Sequence, residues 1–448
     1  MGAPLKLDIV IVGAGLAGIA SAFRLSQIGH RVRVVDDRDQ GKRGSTGVQI
    51  PPNATRILTD WGFKQDVESC GRSMSHATFY SMDSGEFIGR QIWREEVMRE
   101  LGANWHFMHY QDLYNMIYNA AIKAGANIHF GKRVVNVQTD SERPCVTLSD
   151  RSILQADLII GADGPNSVVR RILFGDGPVK PEGHTLFTGV VPVELIHQDL
   201  ELSSLRRADC AELPVWIGSS KHSEGMLVRN ETELSLHIFV PNDELPAPDD
   251  DSWEDEPMPG RPPRFVDPKL QRLIDICPEM YQQKLLIREA PEEWTDDSGR
   301  LLLIGQAAHP THPCWLLSCA INLEDAETLG VLLSRIADLD QLPGLLEGFQ
   351  EVREPQCQYI TQTAWQQTVG ALWLPSGPAQ DARDEALRMK DDAWDEAMMR
   401  AQFDGFFAAL GYNARDAAED WWTTWGLLRE RSKGVHLMDS FSSYGAHE

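Results

Sequence analysis

Residues 8–37 carry the feature that most restricts what this chain can fold into. Asp8 to Val12 is a short, continuous apolar run of the kind needed by a strand buried on both faces. Gly13-Ala14-Gly15-Leu16-Ala17-Gly18 follows, then a helical stretch to Ile28, then a strand-like run from Arg31 to Val35 that closes on Asp36. A GxGxxG between strand and helix permits a tight turn and lets a pyrophosphate approach the backbone. The helix N-terminus supplies amide donors, and an acid at the end of the second strand accepts from ribose hydroxyls. The spacing predicts a dinucleotide site anchored by Gly13, Ala14, Gly15, Gly18 and Asp36.

A chain of 448 residues is long enough for two to three domains. Strand-like stretches recur at Asn127 to Val137, Cys145 to Leu148, Leu158 to Ile160 and Leu301 to Ile304. Between about 176 and 290 the texture changes, and alternating runs such as Leu234 to Val240 predict an antiparallel sheet. That region holds an acidic, proline-rich segment from Asn242 to Arg264, expected to be a solvated excursion. From about 355 onward the pattern is helical and rich in tryptophan: Trp365, Trp373, Trp394, Trp421, Trp422 and Trp425. Such residues serve packing more often than chemistry, so they are expected to dock these helices on the body or on another subunit.

Lys and Arg number 42 against 66 Asp and Glu, a formal charge of −24. This balance repels phosphate backbones and anionic headgroups, which argues against a nucleic acid or a membrane surface as partner. The seven cysteines are scattered and form no CxxC, so no metal site and no redox pair is signalled. No apolar run has the length of a membrane span, and Ile9 to Phe23 lacks the features of a signal peptide. Cytoplasmic residence is the expectation.

Two further motifs carry a resemblance. Asp157-Leu-Ile-Ile-Gly161-Ala-Asp163-Gly164-Pro-Asn-Ser167-Val-Val-Arg170 resembles the second fingerprint of flavin monooxygenases. Ile304-Gly305-Gln306-Ala307-Ala308-His309-Pro310, with Glu324-Asp325-Ala326 after it, is similar to the third. Together with Gly47-Val48-Gln49-Ile50-Pro51-Pro52-Asn53-Ala54 and the Arg353, Pro355 and Leu374-Pro375-Ser376-Gly377 stretch, they make the chain resemble the group A FAD-dependent monooxygenases, in the salicylate-hydroxylase-like branch.

The resemblance implies an α/β (α+β overall) architecture of the p-hydroxybenzoate-hydroxylase type. A doubly wound Rossmann-type FAD domain would comprise 1–75, 100–175 and 290–355. An interleaved antiparallel-sheet substrate domain would comprise 76–99 and 176–289, with a helical C-terminal region at 356–448. It also implies FAD, reduced by NADPH or NADH, and oxygen-dependent hydroxylation of a hydrophobic or aromatic small molecule in specialised metabolism. Gly47, Val48, Asp163, Gly164 and Gly305 would join the first glycine motif in holding the cofactor.

Several positions depart from the family pattern. Tyr110 stands where an arginine would help hold FAD, and Gln306 where an aspartate would bind the ribityl chain. Leu317-Ser318 replaces a Gln-Gly pair, Thr188 stands in place of an arginine, and Gly225-Met226 in place of Tyr-Pro. Two alternatives to the monooxygenase therefore stay open: a flavin-poor homologue catalysing a non-redox cyclisation or isomerisation, and a non-catalytic small-molecule binder. Weak retention of FAD is expected. Thr188, Met226 and Trp315 are the expected substrate-pocket residues, predicting a cavity more apolar than a salicylate site. For proton transfer the candidates are His312, the better one, at the approach to the flavin ring that the resemblance implies, and His309, for which a capping or packing role is the stronger reading.

Overall fold

The computed structural model describes residues 2–40, 46–140, 143–175, 177–202, 212–246, 257–311, 316–388 and 407–429. His312 and Trp315 lie outside those residues, as do Trp394 and 247–256 of the acidic segment.

The apolar run Asp8–Val12 is the central strand of a five-stranded sheet in the order Leu301–Leu303, Leu158–Gly161, Asp8–Val12, Arg31–Val35, Asn127–His129. All neighbours pair in parallel. Ile9, Val10 and Ile11 are wholly buried, as strands covered on both faces must be. Helix Leu16–Gln27 packs between helices Tyr110–Ala124 and Ser318–Leu333. This is the doubly wound arrangement that the first motif predicts.

The single strand expected over Asn127 to Val137 is two. Asn127–His129 pairs in the parallel sheet, whereas Val134–Gln138 joins Cys145–Leu148 and Ile153–Gln155 in a separate antiparallel sheet. The break falls at Gly131 and Lys132, whose amides donate back to the carbonyls of Arg38 and Asp36 instead of continuing the ladder.

The second large sheet has eight strands: Met258–Pro259, Met280–Arg288, Val179–Pro192, Glu233–Pro241, His222–Val228, Glu212–Ile217, His76–Ser81 and Phe87–Ile92. Its pairing is antiparallel except between Glu212–Ile217 and His76–Ser81. Period-two alternation sorts its residues. Leu234, Leu236, Ile238 and Val240 face a core beneath helix Pro268–Ile276, with Phe187, Trp216, Leu270 and Leu273. The intervening Ser235, His237 and Phe239 point the other way, and Ser235 Oγ accepts from the Gly47 amide at 2.7 Å. That bond ties this face to the dinucleotide unit.

Helix Leu342–Gln367 runs straight through Pro355, past the expected start of the tail. Beyond it, helices Pro378–Arg388 and Ala414–Trp421 fold back onto the body. A side chain at Gly348 would overlap the Trp421 ring, and Trp421 Nε1 donates to Glu351 at 2.7 Å. Trp373 is likewise buried, among Leu186, Phe239 and Leu285. These tryptophans are packing residues, as expected; Trp425 is 56% exposed. No helix among the described residues is long and apolar enough to cross a membrane.

Candidate FAD cradle and substrate cavity

The first glycine turn is built by contact with the second fingerprint. Gly13 adopts φ +101°, and a Cβ there would overlap the Ala162 carbonyl; one at Gly18 would overlap the Gly13 carbonyl. Gly15 caps helix Leu16–Gln27 and has nothing within 4 Å of where its Cβ would stand. The open space therefore lies at the N-terminal end of the helix, where anions bind. Asp36 accepts from the amides of Ala14 (2.6 Å) and Arg38 (2.9 Å), so its carboxylate is held at the lip of that space. The Tyr114 hydroxyl donates to the Ala14 carbonyl at 3.0 Å and holds the next peptide, so both peptides flanking Ala14 are tied.

Asp163 has a different task. Burial pushes its carboxyl up, opposed by hydrogen bonds from Ser167 Oγ and the amides of Val168 and Val169. It accepts from the first two amides of helix Val168–Phe174, whose N-cap is Ser167, and so steadies the turn through Gly164. Arg170 then grips the third motif: its guanidinium donates to the carbonyls of Ala307 (2.9 Å), Gln306 (3.4 Å) and Pro165.

The third motif is fastened from below by a fully buried charge network. The Gly305 amide donates to Asp325 Oδ2 at 2.9 Å, and His309 Nε2 meets the same oxygen at 2.7 Å. Arg353 donates through Nε to Asp325 Oδ1 (2.9 Å) and pairs through Nη2 with Glu324 (2.8 Å). Asn53, from the Gly47–Ala54 segment, donates to Glu324 at 2.7 Å. Burial alone would lower the His309 pKa, but Asp325 outweighs it and holds the imidazole up at about 10. Burial raises Glu324, whereas His309 and Arg353 hold Asp325 down against the same penalty. His309, Asp325 and Cys357 bring metal-donor atoms within 4.8 Å of one another. The guanidinium of Arg353 already neutralises that cluster, so the structure casts His309 as a tether for the third motif. Its carboxylate partner, Asp325, follows from the Glu324-Asp325 motif.

These residues fit the ADP half of FAD: an open helix N-terminus, a strand-end acid and a turn in which Cβ atoms have no room. Tyr110 and Gln306, two of the departures, are half-buried. The Tyr110 ring lies 6.5 Å from that of Tyr114, which stacks on Tyr118 at 6.0 Å and 13°. Helix Tyr110–Ala124 thus offers aromatic faces where the family has a cation.

A cavity of about 370 Å³ lies between the eight-stranded sheet and the C-terminal helices. Gln49, next after Gly47 and Val48, forms part of its wall, and so do Leu316 and Leu317, shortly after the third motif. Phe79, Trp93, Val215 and Phe239 supply an apolar lining, closed by residues 363–372 and 383–387. Thr188 and Met226 do not line it. Thr188 pairs across strands with His237, one strand beyond the cavity, and Met226 is fully buried over Gly47. His222, Glu224 and Gln91 are polar sheet residues on the wall. Glu224 Oε1 meets His237 Nδ1 at 3.1 Å, and Oε2 accepts from Gln49 at 3.2 Å. Sequence reading missed this trio, although polar residues at alternate positions of otherwise apolar strands were the available signal.

A family model described as "FAD binding domain" matches residues 6–364. FAD-dependent monooxygenase OpS4 of Beauveria bassiana is 28% identical over 386 residues, 85% of this chain and 89% of that protein. Among solved structures, CtdE in complex with FAD and a substrate superimposes with a TM-score of 0.79 at 15% identity, over 95% of this chain and 100% of that one. A salicylate hydroxylase substrate complex gives 0.70 at 20% identity, over 92% and 97%. At those identities the solved structures speak for the fold. The family match, with glycine turn, capped second motif and tethered third motif all in place, makes this chain a member of the group A FAD-dependent monooxygenases.

Proposed function

We propose that this protein is an NAD(P)H- and oxygen-dependent monooxygenase that hydroxylates a hydrophobic aromatic small molecule. The observation that supports the reading is the link between cradle and cavity: the Gly47–Ala54 segment gives Gln49 to the cavity wall and Asn53 to the Glu324 network that fastens the third motif. What bound FAD supplies is the redox chemistry, namely acceptance of electrons from a nicotinamide and activation of oxygen. The chain's own part is positioning and shielding. Gly13, Gly15, Gly18 and Asp36 would hold the ADP half; Gly305 and Gln306 lie where the rest of the cofactor would run. Phe79, Trp93, Val215 and Phe239 keep water from the reacting ring, while Gln49, His222 and Glu224 orient it.

His312 and Trp315 keep the roles that sequence suggests for them, proton transfer and pocket wall, as part of the same proposal. The test is substrate-dependent oxygen uptake by the FAD-loaded protein with NADPH and with NADH. Product formation that needs neither nicotinamide nor oxygen would replace this reading with the non-redox one.

A further inference from the structure

Most of the cavity wall is hydrocarbon, so its few polar atoms decide what can enter. Trp373 Nε1 donates to His222 Nδ1 at 2.7 Å. Burial pushes the His222 pKa down to about 4, so the ring is neutral near pH 7. With Nδ1 accepting, its single hydrogen sits on Nε2. Phe239 stacks on the imidazole at 4.4 Å and 7°, which sets its plane. His222 is 4% exposed, and Nε2 has no hydrogen-bond partner among the described residues.

Glu224 follows two positions later on the same face of strand His222–Val228. Each of its oxygens takes one hydrogen bond, from His237 or from Gln49, and a carboxylate oxygen can accept two. Beside it, Gln49 Oε1 is buried without a partner. On a wall that also carries Gln91, Thr363 and Thr368, this sets a fixed donor beside a cluster of acceptors two residues along the strand, where Cα atoms are roughly 6–7 Å apart. Arg383 is the described cation on the wall, and it is committed to Asp384 (2.8 Å) and to the Ala371 carbonyl (2.8 Å).

We propose that the cavity selects an uncharged, flat aromatic substrate with two hydrogen-bonding groups at opposite ends. A phenolic O–H or ring N–H is read by Glu224 and Gln49, and a carbonyl roughly 6–7 Å away is read by the Nε2–H of His222. Ortho-hydroxy acids of the salicylate type fail on both counts. Their two groups are adjacent, and their carboxylate meets acceptor oxygens where the wall's cation among the described residues, Arg383, is already paired with Asp384. The proposal rests on the monooxygenase reading and names its substrate class.

The experiment is a calorimetric titration of the FAD-loaded full chain with four probes. These are a hydroxytetralone whose hydroxyl is para to the carbon bearing the ketone, its methyl ether, a hydroxynaphthoate of similar size, and salicylate. The hydroxytetralone should bind most tightly and the ether at least about tenfold more weakly, because an acceptor cluster then loses its donor. Both carboxylates should bind more weakly again. Glu224→Gln should narrow the gap between hydroxytetralone and hydroxynaphthoate, and His222→Phe should weaken the ketone about tenfold while leaving the ketone-free tetrahydronaphthol unchanged.

Equal binding of carboxylate and ketone by the wild-type protein would overturn the proposal. So would equal binding of phenol and ether, or failure of every probe to bind. These wild-type comparisons need no variant to fold. Because binding is read without turnover, selective binding without nicotinamide-driven oxygen uptake would sink the monooxygenase reading alone. Oxygen uptake with indiscriminate binding would sink the recognition code alone.

Discussion

Trp373 donates its indole hydrogen to His222 Nδ1 at 2.7 Å, a bond that spans 151 positions and joins the C-terminal segment to the substrate-side sheet. The tail is thus part of the cavity and sets the orientation of a ring nitrogen inside it. Trp373→Phe should leave His222 Nδ1 a buried acceptor without its donor, costing about 1–3 kcal/mol. The expected result is a KM for the natural substrate raised severalfold or more with a smaller change in kcat. An unchanged KM in a folded variant would show that the tautomer of His222 does not matter.

Gly15 and Gly18 lie three residues apart and should behave oppositely. At Gly15 a side chain points into open space, so Gly15→Val should leave the thermal stability of the FAD-free protein nearly unchanged and reduce FAD affinity by about a hundredfold or more, by filling the phosphate position. Gly18→Ala forces a methyl against the Gly13 carbonyl and should lower the melting temperature of the FAD-free protein. Equal FAD affinity in wild type and Gly15→Val would misplace the cradle.

Tyr110 and Gln306 stand where the family has an arginine and an aspartate. Tyr110→Arg combined with Gln306→Asp should tighten FAD about tenfold or more, since charge-assisted hydrogen bonds are roughly twice as strong as neutral ones. Fluorescence titration of the FAD-free protein reads the change. No tightening would mean that the tyrosine faces of helix Tyr110–Ala124 already do the work of the missing cation.

The His309–Asp325 pair predicts an alkaline loss of stability. With a folded pKa near 10 and an unfolded value near 6.5, the folded state binds the extra proton between those limits. The contribution is complete below about pH 6.5 and fades as pH rises towards 10. Thermal melts of the wild-type protein should therefore fall over this interval, and His309→Gln should flatten that part of the curve. A variant with the same slope as wild type would locate the titration elsewhere.

Much of the frame can be read in the sequence because it depends on short-range patterns. The apolar run at Asp8–Val12, the glycines after it and Asp36 are neighbours in the chain, and each constrains the backbone where it stands. His109 caps its helix by accepting from the Gln111 amide at 3.1 Å, a role that only the structure shows. The strand break at Gly131 is less visible, because it depends on the carbonyls of Arg38 and Asp36 arriving from elsewhere.

The cavity was not legible in that way. His222, Glu224 and His237 look like stray polar residues in apolar strands until the sheet pairs them. Gln49 and Trp373 reach them only through folding, from 175 and 151 positions away along the chain. His309 could be read either as an acid–base residue or as packing until Asp325 and Arg353 closed around it. Local sequence thus determined the dinucleotide unit, since turns, caps and buried strands are written in residues that touch their neighbours. Tertiary structure alone decided which polar atoms line the cavity, because hydrogen-bond partners and desolvation come from segments that meet only in the folded chain.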